Sequence, residues 1–466
     1  MKKFKVIAIT AIVAALFVCA TVLLLTSLNN EGTETSVYSP VSVNPPSEDI
    51  TLPEENSKPE NLDQYALAVE DILANLNNLK TSFASEVDRE YIEDLTKLCG
   101  REAIIKLGAC LAEGEVGSKT LRNAIGYTEN ALLSIMDEER FRTTVLENTE
   151  DGSTELVFVG DTAFANGYSV MNRYKSRNKG IEGLVSSEVL GILRSADIAM
   201  ANNEFTLSDR GSPIPDKKWT FRGDPKNVSI FHELGIDIVG LANNHAFDYG
   251  PDALTDTLAT LDAAGIARLG AGEDINEARA PYYYVINGYK IAIVAGSAID
   301  PYSTRGATEK QSGVFQIFDT VSMCNVIGEA KANADYVIAY VHWGLESTTN
   351  LTNGQKSMGK AFVDAGADVV VGMHSHCMQG LEYYNGKLIV YSLGNFVFSS
   401  YKLTCGMLKV SISPEGDLTN VYYPMMQADN FTYINSGADG EAQLNELKGL
   451  LINAHISDDY TVTEKN

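Results

Sequence analysis

The sequence predicts an α/β fold with a largely parallel sheet, and three features support this prediction. Short apolar runs of strand length alternate with segments of helical periodicity from about residue 154 onward. The β-branched run at residues 369–371 is typical of a strand buried on both faces. Residues 383–390 contain an Asn-Gly pair between two apolar runs, which predicts a tight hairpin.

Five of the predicted strands end in polar side chains, and a further strand is predicted at residues 291–296. Helices are predicted at residues 251–264, which begin with proline and are followed by glycine, and at residues 355–364. Parallel strands place ligand sites at their carboxyl ends, so the polar residues are expected to converge. Those residues are Asp161, Asn203, Glu204, Asn243, Asn244, His245, His342, His374 and His376.

The composition is that of an ordinary globular protein and limits the classes of partner. The chain has 466 residues, 45% of them hydrophobic and 21% charged, with a net charge of −25. This acidity argues against a nucleic-acid partner, because phosphate contacts require Lys-rich and Arg-rich surface. It also argues against docking on anionic lipid, and favours solubility outside the cell. The six cysteines form no CxxC pair and show no metal-ligand spacing.

The N-terminus predicts a transmembrane signal anchor at residues 1–28. Lys2, Lys3 and Lys5 precede an uncharged stretch at residues 6–28, and about 20 apolar residues span a bilayer core. The positive-inside rule places the lysines in the cytoplasm and the rest of the chain outside, as a single-pass protein of the cell membrane. A cleaved signal peptide is the alternative.

Three further segments have no predicted chemistry. Residues 29–60 are rich in Ser, Thr, Pro, Glu and Asn, and we expect a disordered linker there. Residues 61–150 show helical spacing of apolar side chains and predict a small helical region. The catalytic domain is expected at residues 154–430, followed by a C-terminal tail at 431–466 with a short helical pattern and fraying polar residues.

The polar strand ends supply carboxylates, amides and imidazoles but no thiolates. Oxygen and nitrogen donors of this kind suit Mn, Zn or Fe, and enough donors are present for two divalent ions. A pair of ions about 3.5–4 Å apart can activate water and clamp a phosphoryl group. Each cluster alone has an ordinary explanation: a Gly-Asp turn, an Asn helix cap, or a hydrogen-bonded core histidine. Their recurrence at successive strand ends favours one shared site.

These segments resemble the CapA family of poly-γ-glutamate capsule synthesis proteins over residues 154–400. The resemblance rests on Gly-Asp at 160–161, Asn-Glu at 203–204, Ala-Asn-Asn-His at 242–245, His-Trp-Gly at 342–344, Gly-Met-His-Ser-His at 372–376 and Ser-Leu-Gly-Asn-Phe at 392–396. It implies a membrane-anchored, extracytoplasmic protein. It also implies a domain similar to the calcineurin-like metallophosphoesterases, an αβ-sandwich with a dinuclear metal site.

The resemblance also implies roles for individual residues. Asp161, Glu204 and His376 would hold one ion, with Glu204 bridging to a second ion that Asn244, His342 and His374 complete. His245 would be the general acid or would stabilise developing charge. This sequence departs from the metallophosphoesterase pattern at Ala163, where a ligand histidine is usual. It departs again at Ser375, where the family often has proline.

Other polar residues near these motifs are candidates for substrate contacts or for orienting the ligands. We expect Arg222 to bind an anionic group, Glu346 to orient His342 or touch substrate, and Asp248 to orient His245. Asn395 is expected to line the site, as are Asn203 and Asn243.

Two functions remain open at this stage. One is a metal-dependent hydrolase that cleaves a phosphoester, or an amide of a γ-glutamyl polymer, during synthesis or export of an anionic cell-surface polymer. The other is a non-catalytic subunit that tethers the polymer or assembles with membrane synthase subunits. The nearly complete ligand set favours the hydrolase, while Ala163 favours the assembly role.

Overall fold

The computed structural model describes residues 142–177, 179–299 and 304–465, and nearly all of them belong to the compact unit Thr149–Asn466. The other unit, Met1–Asn148, is described only from residue 142 and contributes one short strand. The predicted signal anchor, the linker and almost all of the helical region lie outside the described residues. Among the described helices, none has the length and apolar character to span a bilayer.

The regular elements of the described chain are mostly short strands joined by helices. The helices are α1 (Ser169–Arg177), α2 (Ser187–Ser195), α3 (Ser229–Leu234), α4 (Pro251–Ala263), α5 (Ile275–Arg279), α6 (Val321–Asn333), α7 (Asn353–Asp364) and α8 (Gly437–Gly449). The strands are β1 (Thr143–Val145), β2 (Thr154–Thr162), β3 (Ile198–Asn203), β4 (Thr206–Leu207), β5 (Arg222–Gly223), β6 (Ile238–Gly240), β7 (Ala267–Leu269), β8 (Ala271–Gly272), β9 (Tyr282–Ile286), β10 (Tyr289–Ser297), β11 (Gly313–Val314), β12 (Tyr336–His342), β13 (Val369–Met373), β14 (Leu381–Tyr384), β15 (Lys387–Val390), β16 (Asn395–Val397), β17 (Leu403–Ile412), β18 (Leu418–Ala428), β19 (Phe431–Ile434), β20 (Ala454–Ile456) and β21 (Thr461–Glu464).

Two large sheets form the unit Thr149–Asn466. One has the order β9-β10-β12-β13-β15-β14, and its strands β10, β12, β13 and β15 are parallel neighbours. The other has the order β20-β21-β18-β17-β2-β3-β6-β7, in which β2, β3, β6 and β7 are parallel. β16 pairs with β2, and β19 pairs with β18. The predicted parallel core is therefore confirmed in both sheets.

The two sheets pack face to face, and helices cover their outer faces. The Tyr340 ring of β12 lies 6.4 Å from the Phe158 ring of β2, and its hydroxyl donates to the carbonyl of Val159 at 3.2 Å. On the outer face of one sheet, α2, α3 and α4 bury their apolar residues in a single core. On the outer face of the other, α6 and α7 do the same. The architecture is the expected αβ-sandwich.

The local signals of the sequence agree with the observed element ends. Helix α4 begins at the predicted proline, and Gly265 adopts φ 68° just beyond its end. Helix α7 begins two residues before the prediction, because Thr352 and Gln355 form a capping box. Asn385 and Gly386 both have positive φ, at 50° and 72°, as the tight turn between β14 and β15 requires.

The C-terminal residues differ from the expected fraying tail. Strands β19 and β21 both pair with β18, and helix α8 lies between them in the chain. Gln443 of α8 is buried, and its side-chain nitrogen donates to the carbonyls of Met425 at 2.9 Å and Cys405 at 3.2 Å. Its side-chain oxygen accepts a hydrogen bond from Asn435 at 2.8 Å. Residues 431–465 are thus part of the domain.

Replacement of Gln443 by leucine is expected to lower the free energy of unfolding by about 3 kcal/mol, since two carbonyls and one amide lose buried partners. Urea unfolding of the variant measures this loss. Asn445→Ala, at an exposed position of the same helix, is the matched control and should change stability by less than about 0.5 kcal/mol. Equal stability of both variants would show that the hydrogen bonds of Gln443 do not stabilise the domain.

Candidate functional site

The carboxyl ends of parallel strands from both sheets meet at one edge of the sandwich, where Asp161 and Glu204 are fully buried. Asp161 Oδ1 accepts a hydrogen bond from Asn202 at 2.7 Å. Among the described residues, both carboxylate oxygens of Glu204 have no hydrogen-bond partner, and the only donor near Asp161 Oδ2 is His376 Nδ1 at 3.3 Å. Buried carboxylate oxygens without donors are unfavourable, and bound cations would satisfy them.

Burial also favours the protonated form of Glu204. It raises the pKa of this carboxyl well above its ordinary value, and the nearby Asp161 raises it further. A cation at this position would reverse both effects by favouring the ionised form.

Two buried histidines face Glu204 from the other sheet. His342 ends β12, and its Nε2 lies 3.5 Å from Glu204 Oε1 and 3.0 Å from His374 Nδ1. Burial, together with neighbouring histidines, lowers the pKa of His342 well below its ordinary value. Burial likewise lowers the pKa of His374 to about 3. Both rings are therefore neutral at physiological pH, which is the form that binds metal ions.

His376 has the opposite electrostatic environment. Its Nδ1 lies 3.3 Å from Asp161 Oδ2 and 2.8 Å from Asn395 Oδ1. Burial by itself lowers the pKa of His376, but the hydrogen bond with Asp161 and the charge of Glu204 outweigh burial and raise it to about 10. Without a metal ion, this ring therefore carries a proton between the two oxygens.

The two histidines lie in a turn that follows strand β13 rather than in the strand itself. Strand β13 ends at Met373, and His374 and His376 adopt positive φ values of 91° and 56°. Their ring centroids remain 6.1 Å apart at the site. The hydroxyl of Ser375, between them, donates to the carbonyl of Cys377 at 2.7 Å and lies 2.8 Å from the Ser392 hydroxyl. These two contacts stabilise the turn.

Two sets of side chains could each hold a metal ion, and they share one carboxylate. Asp161, Glu204 and His376 bring one ligand atom each to within 4.8 Å of one another, and Glu204, His342 and His374 do the same. The Oδ1 of Asn244, which follows β6, lies 2.8 Å from His342 Nε2 and extends the second set. The structure thus brings together all six residues predicted as ligands, in the two predicted groups. The donors are oxygen and nitrogen atoms that suit Mn, Zn or Fe.

His245 lies beside the second set and is oriented by Asp248. Its Nδ1 is 2.7 Å from Asp248 Oδ2, and its Nε2 is 4.0 Å from Glu204 Oε1. Asp248 is fully buried and also accepts hydrogen bonds from the Lys217 ammonium at 2.5 Å and the Phe221 amide at 2.6 Å. Burial lowers the pKa of His245 in spite of this carboxylate. The predicted orienting contact of Asp248 is present.

The asparagines of the site have distinct contacts. Asn243 donates to Asn202 Oδ1 at 3.0 Å and accepts from the His245 amide at 3.0 Å. It therefore stabilises the loop after β6. Asn203 donates to the Phe205 carbonyl at 2.9 Å. Asn202, which the sequence analysis did not select, bridges Asp161 and Asn243 and lies 3.4 Å from His342 Nδ1. Asn202 lies two residues before Glu204, and residues at this spacing in a strand point to the same face, so the spacing could have identified it.

The two outermost candidates have other surroundings than expected. Arg222 donates to the carbonyls of Arg210 at 3.2 Å and Gly211 at 3.4 Å, and its guanidinium lies 4.3 Å from the Tyr249 ring centroid. Glu346 is exposed, and the residue beside His342 Nδ1 is Asn202 instead. Glu346 therefore does not have the predicted orienting contact with His342, while an anionic partner for Arg222 and a substrate contact of Glu346 stay predictions.

Two phenylalanines form an apolar wall beside the histidines. The Phe221 ring centroid is 4.4 Å from that of His245, and the Phe398 ring centroid is 4.6 Å from that of His376. The two phenylalanine rings contact each other at 5.4 Å. This wall keeps water from one side of the site and lowers the local dielectric.

Comparison with known families places this site in context. The model of the family described as "Bacterial capsule synthesis protein PGA_cap" matches residues 155–400, which is more than half of the chain. The chain belongs to this family. The resemblance inferred from the sequence motifs is thereby confirmed, and the matched residues include every candidate metal ligand of the PGA_cap domain.

Curated relatives of this PGA_cap protein carry names related to capsule polymers. The PGA biosynthesis protein CapA of Bacillus subtilis (strain 168) is 30% identical over 274 residues, covering 57% of this chain and 69% of the relative. The capsule biosynthesis protein CapA of Bacillus anthracis is 31% identical over 268 residues, covering 54% and 62%. The probable polyglutamine synthesis accessory protein Rv0574c of Mycobacterium tuberculosis is 31% identical over 223 residues, covering 45% and 58%.

Solved structures show only a slight similarity. The NAD nucleotidase of Haemophilus influenzae matches with a TM-score of 0.35 and 12% identity, covering 66% of this chain and 57% of that one. The 5'-nucleotidase of Candida albicans SC5314 matches with a TM-score of 0.35 and 11% identity, covering 65% and 59%. Scores at this level carry no argument about this chain.

Proposed function

We propose that this protein is a membrane-anchored, extracytoplasmic hydrolase with two divalent ions that acts in the synthesis or export of a poly-γ-glutamate capsule or a related anionic polymer. The names of the curated relatives support the polymer. The lysines and the uncharged stretch at residues 6–28 support the anchor and its orientation. The shared carboxylate Glu204 between two ligand sets is the observation that carries the hydrolase proposal.

The residues at the site fit metal ions rather than a purely structural network. Both buried carboxylate oxygens of Glu204 have no donor among the described residues, Asp161 Oδ2 has only His376 Nδ1 at 3.3 Å, and the facing imidazoles of His342 and His374 are neutral. Such a donor set has negative charge to be compensated and free lone pairs to coordinate. When bound, a pair of divalent ions supplies an activated water and charge stabilisation for a phosphoryl group.

His245 is placed to move a proton at this site. Asp248 accepts the hydrogen on Nδ1 and fixes the ring, so that Nε2 is directed toward Glu204 and the space between the ligand sets. When the ring is doubly protonated, Nε2 can donate its proton to the leaving oxygen of a substrate, and the neutral ring that remains keeps its hydrogen on Nδ1. The ammonium of Lys217 and the amide of Phe221 hold the Asp248 side chain in place, since both donate to its carboxylate.

The test of this proposal is hydrolysis of p-nitrophenyl phosphate and bis(p-nitrophenyl) phosphate by the full chain purified in detergent. We expect no turnover after removal of metal by a chelator and recovery of turnover on addition of Mn²⁺, Zn²⁺ or Fe²⁺. A γ-glutamyl amide tested in parallel distinguishes phosphoester from amide hydrolysis. If the protein binds metal but cleaves none of these compounds, nor a γ-glutamyl polymer, the non-catalytic assembly or tethering role becomes the better account.

A further inference from the structure

Asn395 has a position that its expected role as a lining residue does not explain. It begins β16 and is in register with Asp161 of β2. Its side-chain Oδ1 lies 2.8 Å from Nδ1 of His376, the atom that also lies 3.3 Å from Asp161 Oδ2. Two oxygens from neighbouring strands therefore converge on one imidazole nitrogen.

The same geometry occurs in the other ligand set. There the Oδ1 of Asn244 lies 2.8 Å from Nε2 of His342, again an asparagine oxygen beside an imidazole nitrogen that faces Glu204. With Asn244, that set has four protein donors. The set of Asp161, Glu204 and His376 has three donors if Asn395 is left out.

We propose that Asn395 is a ligand of the first metal ion through Oδ1, so that each ion has four protein donors and Glu204 is common to both. This inference rests on the proposed metal site but not on any particular reaction. An ion bound to His376 Nδ1 would lie beside Asn395 Oδ1, which is 2.8 Å from that nitrogen. Asn395 is only 2% exposed, so coordination of the ion would give its buried Oδ1 a partner inside the protein.

The backbone holds Asn395 in this place. The Asp161 amide donates to the Gly394 carbonyl at 3.0 Å, and a Cβ on Gly160 would lie 1.7 Å from the same carbonyl oxygen. The absence of a side chain at Gly160 thus permits the close approach of β2 and β16. Two ligands carried on adjacent strands in fixed register need little reorganisation when an ion binds.

The strand that carries Asn395 also passes Ala163, the position at which the resemblance implies another ligand histidine. Ala163 is buried, two residues after Asp161, and its amide donates to the carbonyl of Val397 in β16 at 2.9 Å. Strand β16, which carries Asn395, therefore lies beside position 163, where this chain has no imidazole. A carboxamide oxygen from β16 supplies the donor that position 163 does not.

The test compares metal binding by the full chain and two variants, after chelation and reloading with Mn²⁺, by elemental analysis and by titration. We expect two equivalents for the unaltered protein. Asn395→Ala should keep one equivalent and bind the other at least about tenfold more weakly. Asn395→Asp should keep both, because a carboxylate oxygen replaces the amide oxygen in the same place. Asn244→Ala is the matched control and should weaken the other ion.

Cobalt spectra separate a ligand from a residue that only positions His376. In the Co²⁺-loaded protein, Asn395→Asp is expected to shift the visible absorption bands, because a directly bound donor has changed. Unshifted bands would overturn the inference, as would two equivalents of unchanged affinity in Asn395→Ala. If Asn395→Ala does not fold, loss of an ion from Asn395→Asp would overturn it. Unaltered protein that binds no metal would overturn both this inference and the proposed hydrolase.

Discussion

Replacement of His245 by glutamine is expected to lower kcat for phosphoester hydrolysis by about 10²–10⁴-fold, the usual contribution of a general acid. Metal content should stay at the level of the unaltered protein. Nε2 of His245 faces the site, whereas its Nδ1 is committed to Asp248 at 2.7 Å. A glutamine side chain fills much of the same volume but cannot deliver a proton. The measurement is steady-state hydrolysis of p-nitrophenyl phosphate with elemental analysis of the same samples.

The matched control for this prediction is His232→Gln. His232 is exposed on α3, and its Nε2 lies 3.0 Å from the Ala264 carbonyl. Both kcat and metal content should be unchanged in this variant. Should His245→Gln hydrolyse at the unaltered rate, His245 would not be the proton donor. Should it lose metal in proportion to activity, the histidine would act in metal binding instead.

Replacement of Glu204 by glutamine is expected to reduce the bound metal from about two equivalents to nearly none. Glu204 is the one residue that belongs to both ligand sets, and both of its carboxylate oxygens lack a hydrogen-bond partner among the described residues. Loss of its charge weakens both ions at once. Elemental analysis after dialysis measures this result. Glu346→Gln, an exposed carboxylate of the neighbouring loop, should retain both ions.

The same variant is expected to be more stable than the unaltered protein once metal is removed. Burial and Asp161 raise the pKa of Glu204 above its ordinary value of 4.5, so the folded state retains a proton that the unfolded state releases. The metal-free protein therefore loses stability as the pH rises above 4.5 toward the folded-state pKa. Glutamine does not titrate and removes this loss.

Thermal unfolding in a chelator at pH 5 and pH 7 checks the sign. The difference in Tm between Glu204→Gln and the unaltered protein should be larger at pH 7. A variant that is less stable at pH 7 would show that the ionised carboxylate already has favourable partners without metal, which would contradict the argument that this site requires cations.

Much of this site could be predicted from the sequence because of a simple geometric rule. Parallel strands bring their carboxyl ends to one edge, so polar residues after successive apolar runs must meet. Asp161, Glu204, Asn244 and His342 follow this rule, and each lies where its strand ends. The apolar runs also predict the central strands of the two sheets, since a strand that is apolar on both faces must be covered on both sides.

Other features depend on contacts between segments that the sequence does not relate. Asn202 acquires its role only because β2 and β3 pair with Asp161 opposite Asn202. The orientation of Arg222 toward the carbonyls of residues 210 and 211 is set by a loop conformation. Strands β20 and β21 are short and partly polar and lie at the end of their sheet, so their sequence pattern resembles that of a tail, and only the pairing of β21 with β18 makes them part of the sheet.

The turn at residues 374–376 implies a conflict between stability and function in this domain. Two non-glycine residues in left-handed conformations each cost of order 1–3 kcal/mol, and glycine would relieve the strain at either position. A histidine at both positions therefore reflects selection for the role of the two imidazoles at the site, at the expense of the stability of the folded state. Variants chosen for heat resistance alone would be expected to lose these two histidines early, and the chemistry of the site with them.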